Sequence, residues 1–134
     1  HPARKRMRLS TIGGDMLALM DHLTGTHTLV LVDAMLSGAA PGTVRRLDAS
    51  AQALAAGRHA FVSTHAIALG EAIELARELG RLPPRVIVYG IEIGGLASGS
   101  RLSLAVAAAV RRVAGEIIAM VDGDAGGRVA ADQP

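Results

Sequence analysis

Two short segments carry the side chains best suited to chemistry. Thr28-Leu29-Val30-Leu31-Val32-Asp33-Ala34 is an apolar run that stops at a carboxylate, and Ser63-Thr64-His65 sets an imidazole just ahead of a helix-forming stretch. In open α/β sheets ligands collect at the carboxyl ends of strands, which is where Asp33 falls. An Asp oxygen and a neutral His nitrogen form a donor pair for a transition metal. The same two groups are equally a general base with its orienting partner. A helix N-terminus disfavours the imidazolium, so His65 is expected neutral and able to ligate. The bland alternatives are an Asp that caps its own turn and a His that hydrogen-bonds its own loop.

Other polar residues make weaker cases. His22, His27 and His59 have no carboxylate at useful spacing and read as surface residues. Glu71 lies about two helical turns beyond His65. It either backs the imidazole or faces solvent, and the exposed helix face is the simpler expectation. Gly94-Gly95 and Gly99 lack the Lys-Ser/Thr pair and the strand-turn-helix spacing of a phosphate loop. Cysteine is absent and no Gly-x-Ser-x-Gly elbow occurs, so the familiar thiol and serine nucleophiles are not offered. The opening His1-Pro2-Ala3-Arg4-Lys5-Arg6-Met7-Arg8 holds four basic residues in eight. A solvated start explains it as well as an anion contact does.

Composition narrows the setting in which such a site would work. The 134 residues are enough for one domain with a real core, and half of them are hydrophobic. Phe61 and Tyr89 are the only aromatics, so the core is built from aliphatic side chains. Base-stacking recognition of nucleic acid is disfavoured for the same reason. A net charge of +2 says little about acidic partners. No apolar run reaches bilayer-spanning length, and no signal-peptide pattern opens the chain. The expectation is a soluble, cytoplasmic protein with no nucleic-acid or membrane partner.

The elements that must carry the site follow from periodicity. Met16, Leu17, Leu19, Met20 and Leu23 mark a helical face that Gly25 stops. Thr28 to Val32 and Arg85 to Ile91 are continuous apolar strands of the kind buried on both faces. Ser37 to Gly42 is a turn-rich loop, and Val44 to Leu47 reads as a short strand. A helix is expected from about Ala66 to Leu79, with Ile67, Leu69, Ile73 and Leu75 inward and Glu71, Glu74 and Glu78 on one face. Gly80 and Pro83-Pro84 end it. Ala49 to Ala56 is ambiguous, and Glu92 to Gly99 reads as a loop. Ser103 opens the last helix, through Leu104, Val106, Val110, Val113, Ile117 and Ile118. Residues 122–134 read as a disordered tail after a single domain over 1–121. Strands alternating with helices give an α/β sandwich.

Three separated motifs then resemble a known family, the hydrogenase maturation peptidases. Leu31-Val32-Asp33-Ala34 with Ser37-Gly38 and Pro41-Gly42-Thr43 is similar to its strand-and-loop signature. Ser63-Thr64-His65 is similar to its second signature. The likeness continues through Leu69-Gly70-Glu71-Ala72-Ile73-Glu74-Leu75-Ala76, Leu79-Gly80 and Leu82-Pro83-Pro84. Val88-Tyr89-Gly90-Ile91-Glu92, then Leu102-Ser103, Val106 and Ala109-Val110, resemble its last strand and helix.

The resemblance runs from about Gly13 to Met120. It implies a three-layer α/β/α sandwich of phosphorylase/hydrolase-like type. It also implies an endopeptidase that removes the C-terminal extension of a nickel–iron hydrogenase large-subunit precursor. Nickel arrives in that precursor and is met by a Glu, an Asp and a His. The Asp and His correspond to Asp33 and His65. The Glu belongs to an N-terminal segment, carrying the first strand, that has no counterpart here, so the chain reads as N-terminally truncated relative to the family. A non-catalytic maturation-factor remnant, binding metal or precursor without cleaving, is the alternative.

Overall fold

The computed structural model describes residues 2, 6–12, 17–23, 25–50, 66–94 and 101–126. Its elements are α1 (Leu17–Met20), β1 (Thr28–Met35), β2 (Val44–Asp48), α2 (Ala66–Glu78), β3 (Arg85–Glu92) and α3 (Leu104–Gly126). Among the described residues the sheet has three strands in the order β1-β3-β2. β1 pairs parallel to β3 over eight residues, from Thr28 opposite Arg85 to Met35 opposite Glu92. β2 runs antiparallel to β3, with Val44 opposite Ile91 and Asp48 opposite Ile87. The expected strands at 28–32, 44–47 and 85–91 are therefore all present, the two long ones in one sheet.

Alternation along β3 divides its side chains between two cores. Val86 and Val88 pack with Leu19, Leu47, Leu69, Ala72 and Ile73, on the side of α1 and α2. Ile87, Tyr89 and Ile91 pack with Val106, Ala109 and Val113 of α3 on the other side. Helices thus cover both faces of the central strand, which is the three-layer α/β/α arrangement.

The helices differ from the sequence reading in which residues they bury. In α2 the inward stripe is Leu69, Ala72, Ile73 and Ala76, while Leu75 is 45% exposed. Spacing of i, i+3, i+4 and i+7 fixes that stripe, and two alanines fill it where Leu75 was expected. In α3 Ala109 is buried, whereas Val110 and Leu104 are exposed. Tight helix-on-sheet packing selects the small side chain. Ser103 caps α3, its Oγ accepting the Val106 N–H at 3.2 Å. The helix runs to Gly126, past Asp122 where composition placed the start of a tail. Asp122 is paired with Arg6 at 2.5 Å, which ties the basic opening segment to this helix.

Two bonds close α2: Arg81 N–H to the Ala76 carbonyl at 2.8 Å and Gly80 N–H to the Arg77 carbonyl at 3.1 Å. That pair is the Schellman pattern, with Gly80 at the left-handed position. Arg77 also reaches the Ala49 carbonyl at 2.6 Å.

β1 departs from the expectation of burial on both faces. Residues Thr28 to Leu31 are only half-buried, and Val32 is 51% exposed. The physical reason is position: β1 is an edge strand among the described residues, and β3 is central. A groove of about 820 Å³ runs along β1, lined among others by Arg8, Leu9, His22, His27 and Met120. His22 and His27 are half-buried in its wall rather than free surface residues, and His27 Nδ1 lies 3.0 Å from the Thr28 hydroxyl.

Candidate active site at the carboxyl edge of the sheet

Asp33 lies two residues before the end of β1 and opposite Gly90 of β3. Leu29 and Leu31 face the α2 core and Val30 faces the α3 core. By alternation Asp33 belongs to the α2 side of the sheet. It is half-buried, and its Oδ1 accepts the Ala34 N–H at 2.9 Å. That bond is local, as the bland reading foresaw, and it leaves the carboxylate at the rim. It is not its only interaction.

α2 runs toward the same rim with its N-terminus leading. Its last turn is held at the Ala49 carbonyl through Arg77, and the Ala49 N–H bonds the Val86 carbonyl near the start of β3. The C-terminal end of α2 therefore sits at the amino end of the sheet. Thirteen residues of helix span about 20 Å, so Ala66 points back toward the carboxyl ends of β1 and β3. His65, one residue earlier, lies outside the described residues, as do His59 and the expected cap at Ser63-Thr64. Glu71 is exposed on α2, in keeping with a solvated role. Among the described residues, no three His, Asp or Glu side chains gather as a metal cage.

A second carboxylate at this edge was missed by the sequence reading, which placed it at the start of a loop. Glu92 ends β3 and is only 1% exposed, the one buried charged residue among those described. Its Oε1 accepts the Ser37 N–H at 2.9 Å and the Ser37 hydroxyl at 2.5 Å. The Ala39 N–H turns to the Ser37 hydroxyl oxygen at 3.4 Å and so supports the same contact at one remove. Burial pushes the Glu92 carboxyl up, but hydrogen bonding from Ser37, helped by the nearby backbone of Gly94 and Ala39, outweighs it and holds the group below the usual glutamate range. With Oε1 engaged this way and the side chain sealed, Glu92 is an anchor rather than an open ligand.

The backbone of Glu92 grips the same loop from its other end. Gly42 N–H donates to the Glu92 carbonyl at 2.8 Å, and Glu92 N–H donates to the Thr43 carbonyl at 2.8 Å. The loop from 36 to 43 is thus held at both ends by one residue. Close approach makes two glycines necessary. A Cβ on Gly42 would stand 2.7 Å from the Ala105 carbonyl oxygen, and one on Gly94 would stand 2.5 Å from Pro41 Cγ. Both also have positive φ. The sequence did contain the signal for Glu92. Arg85 to Glu92 is an apolar run stopping at a carboxylate, the rule that singled out Asp33.

A small α/β sandwich with an acid at a strand end and a helix running to the same rim sets a candidate site at the carboxyl edge of the sheet. The chain belongs to the hydrogenase maturation protease family, whose model matches residues 4–120. By family it is a peptidase. Its fold is similar to that of the hydrogenase maturating endopeptidase HybD from Escherichia coli, with a TM-score of 0.69 and 21% identity. That match covers 84% of this chain and 68% of the other. A second similar structure, an endopeptidase from Escherichia coli studied in solution, gives a TM-score of 0.67 at 20% identity. It covers 85% of this chain and 69% of that one. At such identities the likeness is one of fold. No curated protein sequence matches the chain.

Proposed function

We propose that this chain acts as an aspartic-type processing endopeptidase on a nickel–iron hydrogenase large-subunit precursor, removing its C-terminal extension. Nickel belongs to the substrate: it arrives bound in the precursor, and Asp33 and His65 meet it with one oxygen and one nitrogen donor. Docking on the metal positions the scissile peptide bond. Hydrolysis then adds one water across that bond, giving a new C-terminal carboxylate and a free amine on the released extension. The reaction is cytoplasmic in this reading.

The observation that carries it is the position of Asp33. It stands at the carboxyl end of β1, on the face covered by α2, whose N-terminus is directed to the same rim. Family membership supplies the reaction class. Incubation of the chain with nickel-loaded precursor is expected to release a C-terminal peptide, read by mass spectrometry. Asp33→Asn and His65→Ala should each abolish release while circular dichroism stays native. Cleavage retained in both variants would defeat the reading. Precursor binding without cleavage by the unaltered chain would favour the non-catalytic remnant.

A further inference from the structure

We propose that Glu92 is a positioning residue, whose buried carboxylate locks the β1–β2 loop and thereby fixes the strand end that presents Asp33. The proposal rests on the reading of Asp33 given above and deepens it. Asp33 sits near the end of a strand that is at the sheet edge among the described residues, and Val32 beside it is 51% exposed. Such a strand end frays unless something past it is tied down. The chain beyond Asp33 is tied at three successive points, and all of them trace to the end of β3. Met35 is fully buried and its carbonyl accepts the Ile93 N–H at 3.2 Å. Ser37 gives both its N–H and its hydroxyl to Glu92. Gly42 and Thr43 close the loop on the Glu92 backbone.

The choice of a carboxylate is informative. Ser37 directs two donors at one oxygen, and an ionised Glu is acceptor-only. A neutral amide would keep a carbonyl oxygen for them but lose the charge. Bonds to a charged acceptor are also roughly twice as strong as neutral ones. The arrangement costs a buried charge, and a loop whose only role were to join two strands would be closed by the backbone bonds alone. A lock of this strength, four residues after Asp33, suits a strand end that must hold a side chain in one geometry.

The test uses the ¹⁵N-labelled full chain and Glu92→Gln. Amide exchange at Ser37, bonded to Glu92, and at Ala39, bonded to the Ser37 hydroxyl, should accelerate about tenfold or more. The Ala34 amide signal should shift, because that N–H is bonded to Asp33 Oδ1. Precursor cleavage should lose about tenfold in kcat with KM nearly unchanged, the pattern of a displaced catalytic group rather than lost binding. Ser37→Ala leaves the carboxylate in place and should move every readout the same way by less, so the proposal stays testable where Glu92→Gln fails to fold. Loosened loop amides with an unmoved Ala34 signal would make Glu92 a fold-holding residue only and overturn the proposal. So would unchanged loop exchange. Absence of cleavage by the unaltered chain would count against the peptidase reading, while the Ala34 signal would still judge Glu92.

Discussion

β1 and β3 end in the same way in sequence and in opposite ways in space. Each is an apolar run closed by an acid, and each acid faces the α2 side of the sheet. Asp33 is half-buried at the end of a strand that is at the edge among the described residues, and its Oδ1 accepts the N–H of its own neighbour Ala34. Glu92 is sealed at the end of the central strand and accepts both the N–H and the hydroxyl of Ser37. An acid meant to meet a substrate must keep room around its oxygens, whereas an acid meant to hold backbone must give them up. Under the proposed function adjacent strand ends divide those two duties, and burial separates the two acids.

Removing each acid should therefore have opposite consequences, and this gives the largest expected effect. Glu92→Ala orphans the Ser37 N–H and hydroxyl, each worth about 1–3 kcal/mol when buried without a partner. The site is near the rim, where water can replace some partners, so the net loss should be about 3 kcal/mol in chemical denaturation. Asp33→Asn should stay within about 0.5 kcal/mol. Acid sharpens the contrast. The folded Glu92 carboxyl lies below its unfolded value, so the unfolded chain takes up the proton first. Its stabilisation is complete above the usual glutamate value of about 4.3 and is lost as pH falls through the lower folded value. The slope of stability between about pH 5 and 3 should be shallower in Glu92→Gln than in the parent. Equal slopes would mean that Glu92 does not carry the lock.

A middle-sized effect tests whether the loop is held by fit as well as by charge. Gly42 and Gly38 both have positive φ, 91° and 87°. A Cβ at Gly38 meets nothing within 4 Å, while one at Gly42 meets the Ala105 carbonyl oxygen. Gly38→Ala should cost only the left-handed backbone penalty, about 1 kcal/mol. Gly42→Ala should cost about 1–2 kcal/mol more, because α3 backbone must move. Similar midpoints for the two variants would show that the loop stands off from α3 in solution.

Much of this frame was legible from the residues. Apolar runs gave both long strands, Gly80 with Pro83-Pro84 gave the end of α2, and Ser103 gave the start of α3. Which strand would be central was not legible, since two runs of similar hydropathy do not state their neighbours. The expected double-sided burial of β1 failed for that reason, and with it the view of His22 and His27 as surface residues. Glu92 went unseen because the Gly-Gly after it suggested a loop already begun. Its side-chain partner Ser37 lies 55 residues away, a separation at which local pattern carries no signal. The strand-end position of Asp33 was legible because an apolar run closed by an acid is a local pattern. His65 lies outside the described residues, so its approach to Asp33 remains part of the proposal.

The smallest effect probes the exposure that separates the two strands. Val32 precedes Asp33 and is 51% exposed, whereas Val88, its counterpart in character on β3, is fully buried. Threonine has almost the shape of valine and differs by a hydroxyl in place of a methyl. At an exposed strand position the hydroxyl meets water and β propensity is kept, so Val32→Thr should change stability by less than about 0.5 kcal/mol. At Val88 the hydroxyl would enter the α2 core, and the same change should cost about 1–2 kcal/mol. Paired urea titrations read the difference directly. A Val32→Thr loss as large as that at Val88 would mean that something covers the outer face of β1 in solution. Asp33, one residue further on, would then lie in a more enclosed site than the open edge described here.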